Sequence, residues 1–103
     1  MMATEKNITK AIMNHLKSIK AFAVKLHGGP FQAAGLPDIM CILHGQTVFF
    51  EVKTEVGKVT RIQSHCHDRI RKAGGLVSVV RSVDEVIYLL DHKEPSVWGN
   101  YNQ

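Results

Sequence analysis

Long apolar runs are missing from this chain of 103 residues, and so is any cluster of cysteines. No segment approaches the roughly 20 consecutive apolar residues that a membrane-spanning helix needs. The stretch from Met1 to Lys10 holds no apolar core of the secretory kind. Two cysteines, Cys41 and Cys66, cannot build the multiple disulfides that staple small secreted domains. The expectation is a reduced, intracellular protein with no membrane partner. Internal repeats, low-complexity tracts and Pro- or Gly-rich linkers are also absent, which excludes solenoids and multidomain arrays. Acidic residues are scarce, 9 against 13 Lys and Arg, with a pI near 9.3.

That scarcity is uneven. Up to residue 82 there are twelve basic residues and five acidic ones; beyond it there are one and four. Most of the chain would attract a polyanion, and its C-terminal end would not. Hydrophobic residues at 45% and charged residues at 21% describe an ordinary globular domain. We read residues 1–94 as one domain and 95–103 as a short tail. A core this small would gain from a second copy, so a homodimer is expected.

Ile8, Ala11, Ile12, Leu16 and Ile19 recur at helical spacing between Thr4, a capping residue, and Lys20. Residues 22–27, 37–44 and 47–54 read as strands, the last two joined by a Gly45-Gln46 turn. Thr60 with Gln63, and Ser82 with Glu85, have the capping-box form and open two further helices, the first stopped by Gly74-Gly75. Leu76 to Arg81, rich in valine, is the strand between them. The order predicts an α/β fold, an αβββαβα sandwich around a small mixed sheet.

The informative residues are Asp38, Glu51 and Lys53. A Gly45-Gln46 turn sets Asp38 opposite Lys53 and Met40 opposite Glu51. Alternation then puts all three side chains on one sheet face, with Asp38 and Glu51 diagonal neighbours roughly 7–8 Å apart. Two carboxylates on one face repel each other unless a cation bridges them. Oxygen ligands favour Mg²⁺ or Mn²⁺, with the Val52 carbonyl a candidate third ligand. Lys53 would orient a water and offset charge on a phosphate; alternatively it forms an exposed cross-strand ion pair with Asp38, worth under about 1 kcal/mol. Glu51 lies in the apolar run Val48-Phe49-Phe50-Glu51-Val52, where a bare charge is costly.

Gly35-Leu36-Pro37-Asp38 followed by Glu51-Val52-Lys53 resembles the PD-(D/E)XK nuclease signature. Gln63 and Ala73-Gly74-Gly75 bring the resemblance to the VRR-NUC branch, in its small standalone phage or bacterial form, over about residues 5–86. The resemblance implies a restriction-endonuclease-like fold and Mg²⁺- or Mn²⁺-dependent cleavage of DNA in replication, recombination or repair. The substrate would be branched or duplex DNA, cut as by junction-resolving enzymes, and the cytoplasm of a bacterial cell or phage-infected host the location. It makes Asp38, Glu51 and the Val52 carbonyl metal ligands, and Lys53 the catalytic lysine. Glu5 matches the acid such nucleases carry on the first helix, although a first-turn glutamate also suits the helix dipole. Gln63 is a catalytic-site polar group by the resemblance and a capping residue by local logic. A replication or repair partner protein is a further expectation.

For DNA contacts, the loop Gly28 to Gly35 offers amides at Gly29 to a phosphate, or is a plain connection. Lys58 and Arg61 flank a helix N-terminus, and Arg69, Arg71 and Lys72 lie on that helix. Such contacts fix affinity rather than sequence, so recognition of DNA structure is expected. Consecutive helical positions keep His65-Cys66-His67 from converging on one zinc ion. Cys66 joins Ile62, Ile70 and Ala73 in an apolar stripe, and Cys41 reads as core. Trp98 and Tyr101 would pack on a partner or cover the sheet edge. Two other readings remain: a non-catalytic DNA-binding module on the same fold, and a protein adaptor whose acids form structural ion pairs.

Overall fold

The computed structural model of the chain describes residues 3–26 and 34–98. Their order is α1 (Glu5–Ser18), β1 (Phe22–Lys25), β2 (Ile39–Leu43), β3 (Gln46–Val52), α2 (Arg61–Lys72), β4 (Leu76–Val80), α3 (Val83–Leu90) and a 3-10 turn, η1 (Pro95–Trp98). The sheet runs β1-β2-β3-β4. Its first three strands are antiparallel neighbours, and β4 lies parallel to β3 across the α2 crossover. This is the expected αβββαβα sandwich around a mixed sheet.

Alternation along the strands divides the buried residues between two faces. Ile39, Cys41, Val48, Phe50, Val52, Leu76 and Val80 form one core with Ile8, Ile12 and Leu16 of α1 and Val86, Leu89 and Leu90 of α3. Of the stripe expected on α1, Ala11 and Ile19 stay exposed, because three positions are enough to meet the sheet. Trp98 joins this core. It is fully buried, stacks on Phe50 with centroids 5.5 Å apart, and donates from Nε1 to the His92 carbonyl at 2.9 Å. Residues 95–98 therefore pack into the domain instead of trailing from it; Tyr101 lies outside the described residues.

The caps form as local chemistry dictates. Thr4 Oγ1 accepts from Asn7 N–H, and both halves of the Thr60–Gln63 capping box are present. At α3, Ser82 Oγ accepts from Glu85 N–H, while Glu85 reaches one residue further back and accepts from Arg81 N–H. After α2, Gly74 takes φ +92°, and the Gly74 and Gly75 N–H groups cap Arg71 and Ile70 carbonyls.

One turn differs from expectation. His44 (φ +52°) and Gly45 (φ +79°) form the two-residue turn, and Leu43 pairs with Gln46. Positive φ at both central positions is the primed geometry that matches strand twist, and histidine tolerates the left-handed region better than most residues. The register shifts by two positions, so every side chain keeps its face while its opposite number changes.

The end of α1 carries a strained residue. Lys20 sits at φ +64°, where the Lys20 and Ala21 N–H groups close the helix on the Lys17 and Leu16 carbonyls. A side chain costs about 1 kcal/mol or more in that conformation and glycine avoids the cost. Lys20→Gly is expected to stabilise the protein by about 1 kcal/mol in chemical denaturation. A destabilised variant would contradict the strain.

Candidate active site

The corrected register puts Asp38 and Glu51 closer than expected. The ladder ends at the Ile39–Phe50 pair, and Asp38, one step before it, donates its N–H to the Phe50 carbonyl at 3.0 Å and has its side chain beside Glu51, not opposite Lys53. Asp38 stands just before β2 and uses its side chain in place of the ladder: Oδ2 accepts from Val52 N–H at 2.7 Å. Glu51, on the adjoining strand, is 1% exposed. Burial first, and then the neighbouring Glu51 carboxylate, raise the Asp38 carboxyl from its ordinary 3.8 to about 6, against the Val52 N–H and the Lys53 charge, which lower it. Lys53 is buried except for 8% and shares the Glu51 face two positions on. Among the described residues it makes no ion pair within 4.0 Å. The cross-strand ion pair with Asp38, the alternative weighed for Lys53, is absent among the described residues, and a longer-range attraction stands in its place.

Glu51 is held from above by α2. Gln63 Nε2 donates to Oε2 at 3.2 Å, and His67 Nε2 donates to Oε1 at 3.0 Å. Gln63 also accepts from the Thr60 N–H through Oε1 at 2.9 Å. Gln63 thus caps the helix with one end of its amide and holds the Glu51 carboxylate, rather than the lysine or a water, with the other. His67, 2% exposed, is the site residue that sequence reasoning passed over. Its signal was the four-residue spacing from Gln63, which places both on one helix face. The apolar stripe expected on α2 shrinks accordingly. Cys66 is buried, Ile70 half-buried, and Ile62 and Ala73 exposed. Cys41 and Cys66 are free thiols, both buried.

Two further elements set the position of the site. Gly35 has φ +81°, and a Cβ there would meet the Ile62 carbonyl oxygen at 2.5 Å. The Gly35-Leu36-Pro37-Asp38 segment thus lies directly against the first turn of α2, which carries Gln63. Behind Lys53, Arg81 Nη1 donates to the carbonyls of Thr54 and Gly57 and clamps the loop that follows.

Other candidates are not gathered here. Glu5 is exposed in the first turn of α1. Among the described residues no three His, Cys, Asp or Glu side chains cluster tightly enough to cage a metal. Glu5 is therefore not drawn to the Asp38–Glu51 pair. Lys58, Arg61, Arg69 and Lys72 are all exposed on α2 or the loop before it, while Arg71 is largely buried. Gly29 lies outside the described residues. Among the described residues no helix is long and apolar enough to cross a membrane.

The donor set fits a hard divalent cation. Asp38 and Glu51 face each other with oxygen lone pairs to spare, and burial makes their joint charge costly without one. No family model and no curated protein matches the chain. A solved structure does: one titled "VRR_NUC domain" superposes with a TM-score of 0.74 and 32% identity, covering 89% of this chain and all of that one.

A carboxyl whose folded-state pKa lies above its unfolded value binds its proton more tightly in the folded protein. Asp38 therefore favours folding below pH about 4, and the advantage is lost as pH rises through about 6. The metal-free wild type should melt at a higher temperature near pH 5 than near pH 7, once other titrations are subtracted with Asp38→Asn. That variant should be more stable than wild type at pH 7 without metal, since the amide oxygen still accepts from Val52. Equal pH dependence in the two proteins would refute the carboxylate strain.

Proposed function

The chain belongs to the VRR_NUC domain family, a nuclease-type domain, and from that membership and the meeting of Asp38 with Glu51 we propose a metal-dependent DNA endonuclease. The observation that carries the reading is a buried glutamate beside a half-buried aspartate whose carboxyl it pushes up, with a buried lysine on the same face. A structural ion-pair role would have placed Lys53 against one acid; Lys53 instead keeps its ammonium outside ion-pair distance of both.

Asp38 and Glu51 would hold one Mg²⁺ or Mn²⁺, with the Val52 carbonyl beside them. When bound, such a cation supplies Lewis-acid polarisation of the phosphodiester and acidifies a water. Lys53 Nζ donates to a phosphate oxygen as negative charge grows there, and orients the attacking water. Gln63 and His67 keep the Glu51 carboxylate turned to the site. Arg81 fixes the loop after Lys53 so that the ammonium does not swing away. Hydrolysis then adds water across one P–O bond and leaves a phosphate end and a hydroxyl end.

One site cuts one strand. Paired cuts at a branched DNA call for a homodimer, and Phe22 with Ile42, exposed cross-strand neighbours on the part of the sheet that α2 leaves open, offer an apolar patch for it. The exposed Lys58, Arg61, Arg69 and Lys72 would hold backbone phosphates without reading bases. That combination favours a structure-selective enzyme of bacterial or phage DNA processing, working in the cytoplasm, alone or with a replication or repair partner.

Labelled four-way junction, flap, single-stranded and duplex DNA, incubated with Mg²⁺ or Mn²⁺, tests the reading. Cutting should require metal, and Lys53→Ala should slow it by about a hundredfold or more. Intact DNA in both metals, or a fully active Lys53→Ala, would move the assignment to a DNA-binding module. His67→Ala should weaken Mn²⁺ binding by about 10- to 100-fold in calorimetry, because a ligand loses its outer support. Unchanged affinity would show that His67 serves packing alone.

A further inference from the structure

The flank of α2 that faces β4 borders a cavity of about 570 Å³. Thr60, Arg61, Ser64, His67 and Arg71 line it from the helix side and Ser78 from the strand, and none of its lining residues is acidic. Positions 60, 64, 67 and 71 step by four, three and four, so they form one strip along the helix, about 16 Å long. Gln63, Cys66 and Ile70 occupy the neighbouring strip. His67 lies on the border and serves both, lining the cavity while it donates to Glu51.

Arg71 is the member that its own fold does not explain. Its side chain is only 10% exposed, yet the one carboxylate paired with it among the described residues, Asp68, is 3.5 Å from Nη1 and itself 42% exposed. Nη2 donates to the Val77 carbonyl at 3.3 Å, and the buried Nε has no partner among the described residues. Burial pulls the guanidinium pKa below its ordinary value, and Asp68 restores only part of it. A guanidinium has five N–H donors in a planar fork, suited to a bidentate oxyanion. Arg61 adds a second cation, Ser64 and Ser78 add hydroxyls, and the first turn of α2, which holds no acidic residue, adds amides at the positive end of the helix dipole.

We propose that this groove is a second phosphate-binding subsite, in which Arg71 and Arg61 hold phosphates of a nucleic-acid strand along the flank of α2 away from Asp38. The proposal rests on the nucleic-acid reading above and extends it. The strip is long enough for several successive phosphates of one strand, and His67 sets that strand one imidazole away from Glu51. Two sources share the chemistry, internal phosphodiesters and a terminal phosphate monoester.

DNA binding by anisotropy in EDTA, across a salt series, tests it without any need for cleavage. A protein with no nuclease activity therefore still gives a decisive answer. Arg71→Gln should reduce the slope of log affinity against log salt by about 0.9 on duplex or about 0.7 on single-stranded DNA. Lys17→Gln, an exposed change on α1, should leave the slope alone. A wild-type preference for a 5′-phosphate over a 5′-hydroxyl oligonucleotide, lost in Arg71→Gln, assigns the terminal monoester; equal binding of both ends, with the reduced slope, assigns internal phosphates. Inorganic phosphate, compared with chloride at equal ionic strength, should raise the melting temperature of wild type and of Arg71→Lys but not of Arg71→Gln. A folded Arg71→Gln with the wild-type slope overturns the proposal. If Arg71→Gln does not fold, a wild-type melting temperature indifferent to phosphate overturns it equally.

Discussion

A carboxylate sealed in the middle of a sheet has to be answered by donors, and Glu51 is answered by one helix. Taking an acid out of water costs several kcal/mol. Two hydrogen bonds to the charged group return about 1.5–3 kcal/mol each. Gln63 and His67 supply those two bonds, so the cost is roughly offset only if α2 sits where both can reach. The helix cannot slide or rotate without stranding Glu51. Its start is fixed by the same residue, since Gln63 closes the capping box with Thr60 through its other end. Gly35 completes the constraint, because its missing Cβ lets the segment leading to Asp38 lie against the Ile62 carbonyl.

Nothing in that arrangement compensates the second acid. Asp38 has one backbone donor and a lysine beyond ion-pair distance, and it faces the acid that has already claimed the α2 donors. The strain is therefore local, and the surrounding fold has to carry it. It does so with ordinary means. Trp98 stacks on Phe50 on the far side of the sheet, and Arg81 ties down the loop after Lys53. A local rule broken inside an otherwise consistent fold is where function is expected.

Much of this was legible in the residues. Strand alternation alone put Asp38, Glu51 and Lys53 on one face, and that held because a shift of two positions preserves faces. What it could not give was the partner across the strand. Gly45 fits a turn at either of its two positions, and the choice fell on tolerance of positive φ at His44, which local propensity barely ranks. His67 was hidden by a different cause. Read with its neighbours His65 and Cys66 it suggested zinc and was set aside; read with Gln63 at helical spacing it points to Glu51. Trp98 was hidden by its place after Pro95, where a tail was the natural reading, because a six-residue hydrogen bond to His92 cannot be inferred from periodicity.

The helix that answers Glu51 also explains why one small sheet can carry both an acidic centre and a basic flank. Charges of opposite sign close together would collapse into ion pairs and cancel. Here α2 stands between them as a wall. One strip of it, with Gln63, meets the acids; the adjoining strip, with Arg61 and Arg71, meets β4 and faces no carboxylate in its cavity. His67 is the one side chain common to both. The wall keeps the guanidinium of Arg71, paired at 3.5 Å with Asp68, from neutralising Glu51. On the proposed function, an anionic strand and a divalent cation would meet two differently charged flanks of one helix.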